Sequence, residues 1–238
     1  MSIDTIARLV NARAASRLWA RDTTVFSAAA DPAVRDAILT RLGWLDAPAA
    51  MAARVPEIQQ LVREVQQDGL TQMCLLGMGG SSLAPEVLRS AFGKRRGFPR
   101  LHVLDSTVPD KVLRVTRAID PATSLFIAAS KSGGTVEVMS FFRHFHKLLT
   151  DLKGKRAGEN FIAITDPGTG LQRLAEENRF RRIFFNPADI GGRYSALSFF
   201  GMVPAALAGV DAARLLESGI RMAESCRVSA PLKENPGG

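Results

Sequence analysis

Met73-Cys74-Leu75-Leu76-Gly77-Met78-Gly79-Gly80-Ser81-Ser82 is the stretch whose reading decides the fold. The apolar run Met73–Leu76 predicts a buried strand. The glycines turn the chain tightly, and Leu83–Phe92 predicts a helix with Pro85 in its first turn, where a missing N–H costs nothing. Strand, glycine-rich turn and helix in that order gather free backbone N–H groups and the positive end of a helix dipole at one point. The expected guest is an anion, most simply a phosphate, and the serines add hydroxyl donors. Several nucleotide and phosphate folds use this device, so the loop alone leaves the ligand open.

Outward from this unit, strands and helices alternate. Met73–Leu76, Leu101–Asp105, Leu125–Ala129, Phe161–Thr165 and Ile183–Phe185 read as strands. Leu83–Phe92, Asp110–Ile119, Thr135–Leu149 and Gly170–Glu177 read as the helices between them. Short apolar strands joined by helical crossovers imply an α/β fold with a parallel sheet covered on both faces. A turn-rich bridge, Ala188 to Gly192, leads to a long apolar helix over Ser195–Ala208, and an amphipathic helix follows from about Asp211 to Cys226. Upstream, residues 1–68 read as helical. Ile3, Ala7, Val10, Ala14 and Leu18 recur at steps of three and four, Asp31-Pro32 starts a helix that ends near Gly43, and Glu57–Gln67 forms another. The expected organisation is a helical segment over 1–68 packed on an α/β domain over 69–238.

The chain has 238 residues, 46% of them hydrophobic, enough for a sizeable core. Its net charge of +8 favours acidic partners, and a sugar phosphate satisfies that as well as a nucleic acid does. The basic clusters Lys94-Arg95-Arg96, Lys153 to Arg156 and Arg179 to Arg182 lie in connections with few aromatics, which argues against nucleic-acid binding. Cys74 and Cys226 lack metal-ligand spacing and suggest buried thiols in a reducing, cytoplasmic compartment. Charged residues interrupt the N-terminus, and Phe199 to Ala208 is too short to span a membrane.

A second loop, Ser130-Lys131-Ser132-Gly133-Gly134-Thr135, follows the third strand. In a five-stranded doubly wound sheet of order 2-1-3-4-5, strands one and three are neighbours whose crossovers leave to opposite faces, so a crevice opens at their carboxyl ends. Two anion cradles then face one crevice, with Lys131 reading as a charge-assisted phosphate contact. Gly191-Gly192-Arg193-Tyr194-Ser195 is a third candidate, because paired glycines let the main chain approach a ligand while the guanidinium reaches an oxygen that gains charge. On the helix after the second loop, Val138, Phe142, Phe145 and Leu149 form the buried stripe, and Glu137, Ser140, His144 and Lys147 the polar one. His144 therefore reads as solvated, His102 as packed, and Glu137 as a first-turn carboxylate near the crevice.

At these residues the sequence resembles the phosphoglucose isomerase family, built on the SIS phosphosugar-isomerase fold. Leu76 to Ser81 resembles the family's first loop, Ser130 to Glu137 its phosphate loop, and Ala188 to Ser198 its most specific signature. Leu18 to Asp22 and Gly43-Trp44-Leu45 resemble its helical N-terminal part, in bacterial forms sometimes fused to a transaldolase. The resemblance implies interconversion of glucose 6-phosphate and fructose 6-phosphate in glycolysis and gluconeogenesis, through a cis-enediol(ate), without metal or organic cofactor. It implies that Ser130, Ser132 and Thr135 hold the phosphate with backbone N–H groups of Lys131 and Ser132, that Gly80 and Ser81 contact the sugar phosphate, that Arg193 stabilises the enediolate, and that Glu137 orients a catalytic group. It also implies a homodimer.

Two departures stand out. Gly134 occupies a position where the family usually has a hydroxyl residue. The family's proton-transferring glutamate, ring-opening histidine and a lysine lie downstream of Gly238, so the chain reads as the amino-terminal half of such an enzyme, lacking the base. Two other readings remain: a non-catalytic phosphosugar-sensing module, and a dinucleotide enzyme, since Gly77-Met78-Gly79 begins a Rossmann pattern and Asp105 ends the second strand. The third glycine position holds Ser82, and a nicotinamide site leaves Ser130–Thr135 unexplained.

Overall fold

The computed structural model describes residues 13–27, 31–227 and 235–236. The helix expected over Ile3, Ala7 and Val10 lies outside these, apart from α1 (Ala14–Trp19). Five strands, β1 (Gln72–Gly77), β2 (Arg100–Leu104), β3 (Ser124–Ala129), β4 (Phe161–Thr165) and β5 (Arg182–Phe185), pair in the order β2-β1-β3-β4-β5. Every pairing is parallel. Each expected strand is present within a residue or so at its ends, and the expected order holds.

The strands are apolar because both faces are covered, and their period of two sorts the side chains. Met73, Leu75, Leu125, Ile127, Ile162 and Ile164 point to one face. There they meet Ile58, Leu61 and Val65 of α4 (Val55–Gln67), after α2 (Pro32–Leu39) and the short α3 (Ala47–Ala52). The same face receives α9 (Phe199–Leu207), in which every residue is buried. Cys74, Leu76, Phe126 and Phe161 point the other way, onto Phe141, Phe142, Phe145 and Leu149 of α7 (Val136–Lys153). Each such phenylalanine contributes roughly 1.5–3 kcal/mol on burial. The remaining helices are α5 (Gly80–Phe92), α6 (Pro109–Ala118), α8 (Gly170–Glu177) and α10 (Ala212–Ser225).

Several helix boundaries differ from the sequence expectation: α2 ends at Leu39 and not near Gly43, with a 3-10 turn over Gly43–Leu45 after it, and α7 runs past Leu149 to Lys153. Helix α5 begins at Gly80 rather than Leu83, so Pro85 sits inside it and not in its first turn. The turn closes early because the Ser82 and Leu83 amides both donate to the Gly79 carbonyl, at 3.1 Å. The long apolar helix is also two elements: a 3-10 turn over Gly192–Leu197, then α9. Ser198 divides them. Its backbone is extended, and its hydroxyl accepts from the Phe200 amide at 3.3 Å as an N-cap.

Cys74 is fully buried in β1, and burial pushes its thiol up. Cys226 is partly exposed at the end of α10, where its carbonyl accepts from the Trp19 indole at 2.9 Å. Titration of the native protein with a thiol-reactive disulfide is therefore expected to modify Cys226 promptly and Cys74 only on unfolding. Equal native rates for both thiols would refute the buried strand.

Candidate functional site

Gly77 and Ala129 are register partners, the last pair between β1 and β3. The loops at 77–80 and 130–135 therefore leave the carboxyl edge of the sheet side by side, about one strand spacing (~4.8 Å) apart. Helices α5 and α7 then depart to opposite faces, since Leu88 packs on the face of Met73 and Leu75 and Phe142 on the face of Cys74 and Leu76. This is the switch-point crevice. Neither helix has a side-chain cap on its first amides: Gly79 has no side chain, and Thr135 makes no capping bond. The first amides of α7, an 18-residue helix, and its dipole remain available to an anion; in α5 the Ser81 and Ser82 amides already donate to the Met78 and Gly79 carbonyls, at 3.2 and 3.1 Å, which leaves the Gly80 amide and the helix dipole.

Within the first loop Ser82 is buried, and its hydroxyl donates back to the Gly79 carbonyl at 3.1 Å. Ser81 is half-buried, and its hydroxyl has no partner among the described residues. In the second loop Ser130 is 2% exposed. Its hydroxyl accepts from the Gly133 amide at 3.2 Å and pairs with the Thr135 hydroxyl at 2.8 Å, so Ser130 shapes the loop from inside. Ser132 is exposed and accepts weakly from the Gly134 amide at 3.4 Å. Gly133 has φ +65°, and an added Cβ would lie 2.6 Å from Thr169 Oγ1 and 2.9 Å from the Leu171 nitrogen, so only glycine fits. Glu137, in the first turn of α7, has no hydrogen bond or ion pair to the described residues.

The segment after β5 doubles back across the carboxyl edge. Asn186 donates its amide to Thr165 at the end of β4, at 2.8 Å. Ala188 meets Lys131 after β3. Gly192 then lies against Gly80 after β1, so closely that a Cβ on Gly80 would overlap the Gly192 carbonyl. The buried Ser195 hydroxyl, 2.7 Å from the Gly192 carbonyl and 3.4 Å from that of Gly80, sits at the same junction. On its outer side the segment is held by an antiparallel bridge between Leu42 and Ile190, by the Gly43 amide donating to Asp189 at 2.9 Å, and by a Trp44–Tyr194 stack with centroids 5.8 Å apart. Arg193 emerges from this frame exposed, with no hydrogen bond or ion pair to the described residues.

Lys131 is the sequence-expected residue whose surroundings differ most from expectation. Its ammonium donates to Asp166 Oδ2 at 2.5 Å and to the Ala188 carbonyl at 2.7 Å, so protein groups take up two of its three N–H bonds. Burial pushes the Asp166 carboxyl above the usual carboxylate range, although the Lys131 hydrogen bond and charge pull it down. The sequence reading missed Asp166, and it placed Trp44 and Tyr194 within motifs without expecting them to meet. A signal existed for the first: Thr165-Asp166 places a carboxylate at the end of β4, on the crevice edge.

The histidines stand apart from this edge. His102 pairs with Cys74 from the middle of the edge strand β2, and burial, then the charges of Arg100 and Arg89, lower its pKa. His144 is hydrogen-bonded to Thr116 of α6 at 2.9 Å and is not simply solvated. His146 is partly buried on α7, which lowers its pKa. Asp105, after β2, forms an ion pair with Lys111. Among the described residues no group of three or more His, Cys, Asp or Glu side chains is arranged to hold a metal ion, and no helix is long and apolar enough to cross a membrane.

The sequence profile of the family described as "Phosphoglucose isomerase" matches residues 53–236. The chain belongs to the phosphoglucose isomerase family. A glucose-6-phosphate isomerase of Thermus thermophilus is 36% identical over 199 residues, covering 82% of this chain and 45% of the relative. One from Carboxydothermus hydrogenoformans is 32% identical over 206 residues, covering 83% and 44%. The chain thus spans about half the length of the curated relatives it matches. Among solved structures, hypothetical protein TT0462 from Thermus thermophilus superposes with a TM-score of 0.76 at 32% identity, over 98% of this chain and 52% of that one. A glucose-6-phosphate isomerase from Chlamydia trachomatis gives 0.59 at 25%, over 89% and 36%. Tagatose-6-phosphate ketose/aldose isomerase from Escherichia coli, at 13% identity and 0.51, shares the sugar-isomerase fold, and covers 80% of this chain and 51% of that one. In this family member the first loop, the phosphate-loop candidate and the arginine signature occupy one sheet edge.

Proposed function

We propose that this chain binds the phosphate end of a hexose 6-phosphate in the crevice between the two glycine-serine loops, and that it serves the interconversion of glucose 6-phosphate and fructose 6-phosphate. The observation that carries this reading is the meeting of two helix starts without side-chain caps and an arginine without a protein counter-ion at one sheet edge. The amides of Lys131 and Ser132 and the hydroxyls of Ser132 and Thr135 receive the dianion. Ser130 belongs to this set through the shape it gives the loop. Gly80 and Ser81 approach the sugar from β1. Arg193 is placed for the oxygen that becomes the enediolate, where a preorganised donor is worth about 2.7–4 kcal/mol. Glu137 orients the group that acts on the carbon chain.

Proton transfer between C1 and C2 requires a positioned base, because a sugar C–H is a weak acid. The family resemblance puts that glutamate, with a histidine and a lysine, downstream of this chain's match. In the proposed reading the full-length enzyme of this family acts as a homodimer.

Calorimetric titration of the 238-residue chain with fructose 6-phosphate, inorganic phosphate and NAD tests the reading. The sugar phosphate is expected to bind, phosphate to compete with it, and both to weaken as salt rises. NAD is expected to leave the heat signal flat, and isomerisation by this chain alone to be negligible beside a full-length relative. Tight NAD binding without sugar-phosphate binding would replace this reading with the dinucleotide one.

A further inference from the structure

We infer that Lys131 and Asp166 form a strap that sets the arginine-bearing segment against the phosphate loop, and that the Lys131 ammonium acts on the ligand through this positioning and not by touching the phosphate. The inference rests on the function proposed above. It starts from what the segment after β5 has to do. It leaves an edge strand and reaches Gly80 beside β1, so it crosses the ends of β4 and β3 as irregular chain. Irregular chain over a sheet edge holds its place only where its polar groups find fixed partners.

Lys131 supplies one in mid-crossing. Its own main chain is anchored on both sides, with the Ser130 amide donating to Ile164 at 3.0 Å and the Lys131 carbonyl accepting from Asp166 at 3.3 Å. Its ammonium then joins Asp166 to the Ala188 carbonyl. The pair is partly withdrawn from water, with side-chain exposures of 33% for Lys131 and 16% for Asp166. A surface ion pair screened by solvent would fix little. A charge-assisted, partly buried one shared with a backbone carbonyl fixes a geometry. Five residues beyond Ala188 the same segment presents Arg193. Movement of the phosphate loop is thereby transmitted to the guanidinium, and onward to Tyr194 and the Trp44 ring stacked on it.

Asp166 is thus a positioning residue, and a double-mutant cycle separates the two roles open to Lys131. Fructose 6-phosphate and inorganic phosphate are titrated into the wild-type chain, K131M, D166A and the double variant, with D166N as the variant that keeps the side-chain volume. A W19F background leaves Trp44 as the sole tryptophan and a reporter of the arginine segment. A strap predicts that K131M and D166A each weaken fructose 6-phosphate about tenfold and that the double variant is no weaker than either. It predicts that K131R recovers most of what K131M loses, because a guanidinium can donate to both acceptors. It also predicts that Trp44 emission of the ligand-free protein shifts in K131M and D166A but not in K131R. If D166A binds phosphate as tightly as wild type or tighter while K131M loses it, Lys131 is a direct ligand and the strap is wrong. Unchanged Trp44 emission in the ligand-free variants overturns the strap by itself. Failure of the wild-type chain to bind either ligand refutes the proposed function instead, and leaves the emission result to decide the strap.

Discussion

Replacement of Gly80 by valine is expected to remove hexose-phosphate binding while leaving a folded chain. A Cβ at this position would overlap the carbonyl of Gly192 and lie 2.9 Å from its Cα. Both obstacles are backbone, so no rotamer change relieves them, and the arginine segment must move away from the first loop. That movement also breaks the junction at Ser195, whose hydroxyl lies 2.7 Å from the Gly192 carbonyl. Overpacking of this kind costs about 1–3 kcal/mol, which a domain of this size survives. The effect on binding should be larger in proportion, because the displaced segment carries Arg193 and forms one wall of the crevice. Gly134→Ala is the internal comparison. Its Cβ meets nothing within 4 Å, so its midpoint of thermal unfolding should stay near that of the wild type. Calorimetry with fructose 6-phosphate and thermal unfolding of both variants give the answer. A Gly80→Val protein that binds the ligand normally would show that Gly80 and Gly192 do not need to touch.

The sheet was legible because its signal is redundant. Each strand is a short apolar run bounded by glycine or a polar turn, and the three inner strands β1, β3 and β4 are buried on both faces, so periodicity, length and composition agree. Gly170–Glu177 was legible to the residue because Thr169 caps it, its side chain accepting from the Gln172 amide. Helix α5 was not, because its first turn is built of glycine and serine, which carry little helix preference, and is closed by Gly79 in a conformation open to glycine. The break at Ser198 was hidden by the apolar residues on both sides of it. They read as one run although an extended serine parts them.

The site divides the same way. Glycines, hydroxyls and Arg193 announce an anion site locally, and the sheet order brings their loops to one edge. What local sequence cannot carry is which partner a long side chain selects. Lys131 has carboxylates at many distances along the chain, and its choice of Asp166, 35 residues on, follows from β3 and β4 being neighbours. The Trp44–Tyr194 stack joins residues 150 positions apart by the same logic: it exists because Leu42 bridges Ile190.

Gly133→Ala should be the most damaging single-methyl change in the phosphate loop. Two costs act together there. The residue has φ +65°, a left-handed conformation that costs an L-residue roughly 1–2 kcal/mol. The new methyl also enters space held by Thr169, whose Oγ1 would be 2.6 Å away, and crowds the Leu171 nitrogen at 2.9 Å. Thr169 cannot step aside cheaply, because it caps α8 and its hydroxyl is 2.8 Å from that of Thr165. A loss of about 3 kcal/mol is expected, with loss of phosphate binding, since the Gly133 amide now bonded to Ser130 must turn away. The two costs are separable. Thr169→Gly removes the obstructing Cβ and hydroxyl at the expense of the cap, a few tenths of a kcal/mol when glycine takes its place. In a Gly133→Ala/Thr169→Gly protein the steric cost due to Thr169 should vanish, while the conformational cost and the contact with the Leu171 nitrogen remain, so the double variant should be about 1 kcal/mol more stable than the sum of the single changes predicts. Urea unfolding of the four proteins measures this directly. Strict additivity would mean that the loop after β4 does not abut the phosphate loop, and the crevice would lose the wall against which the second cradle is formed.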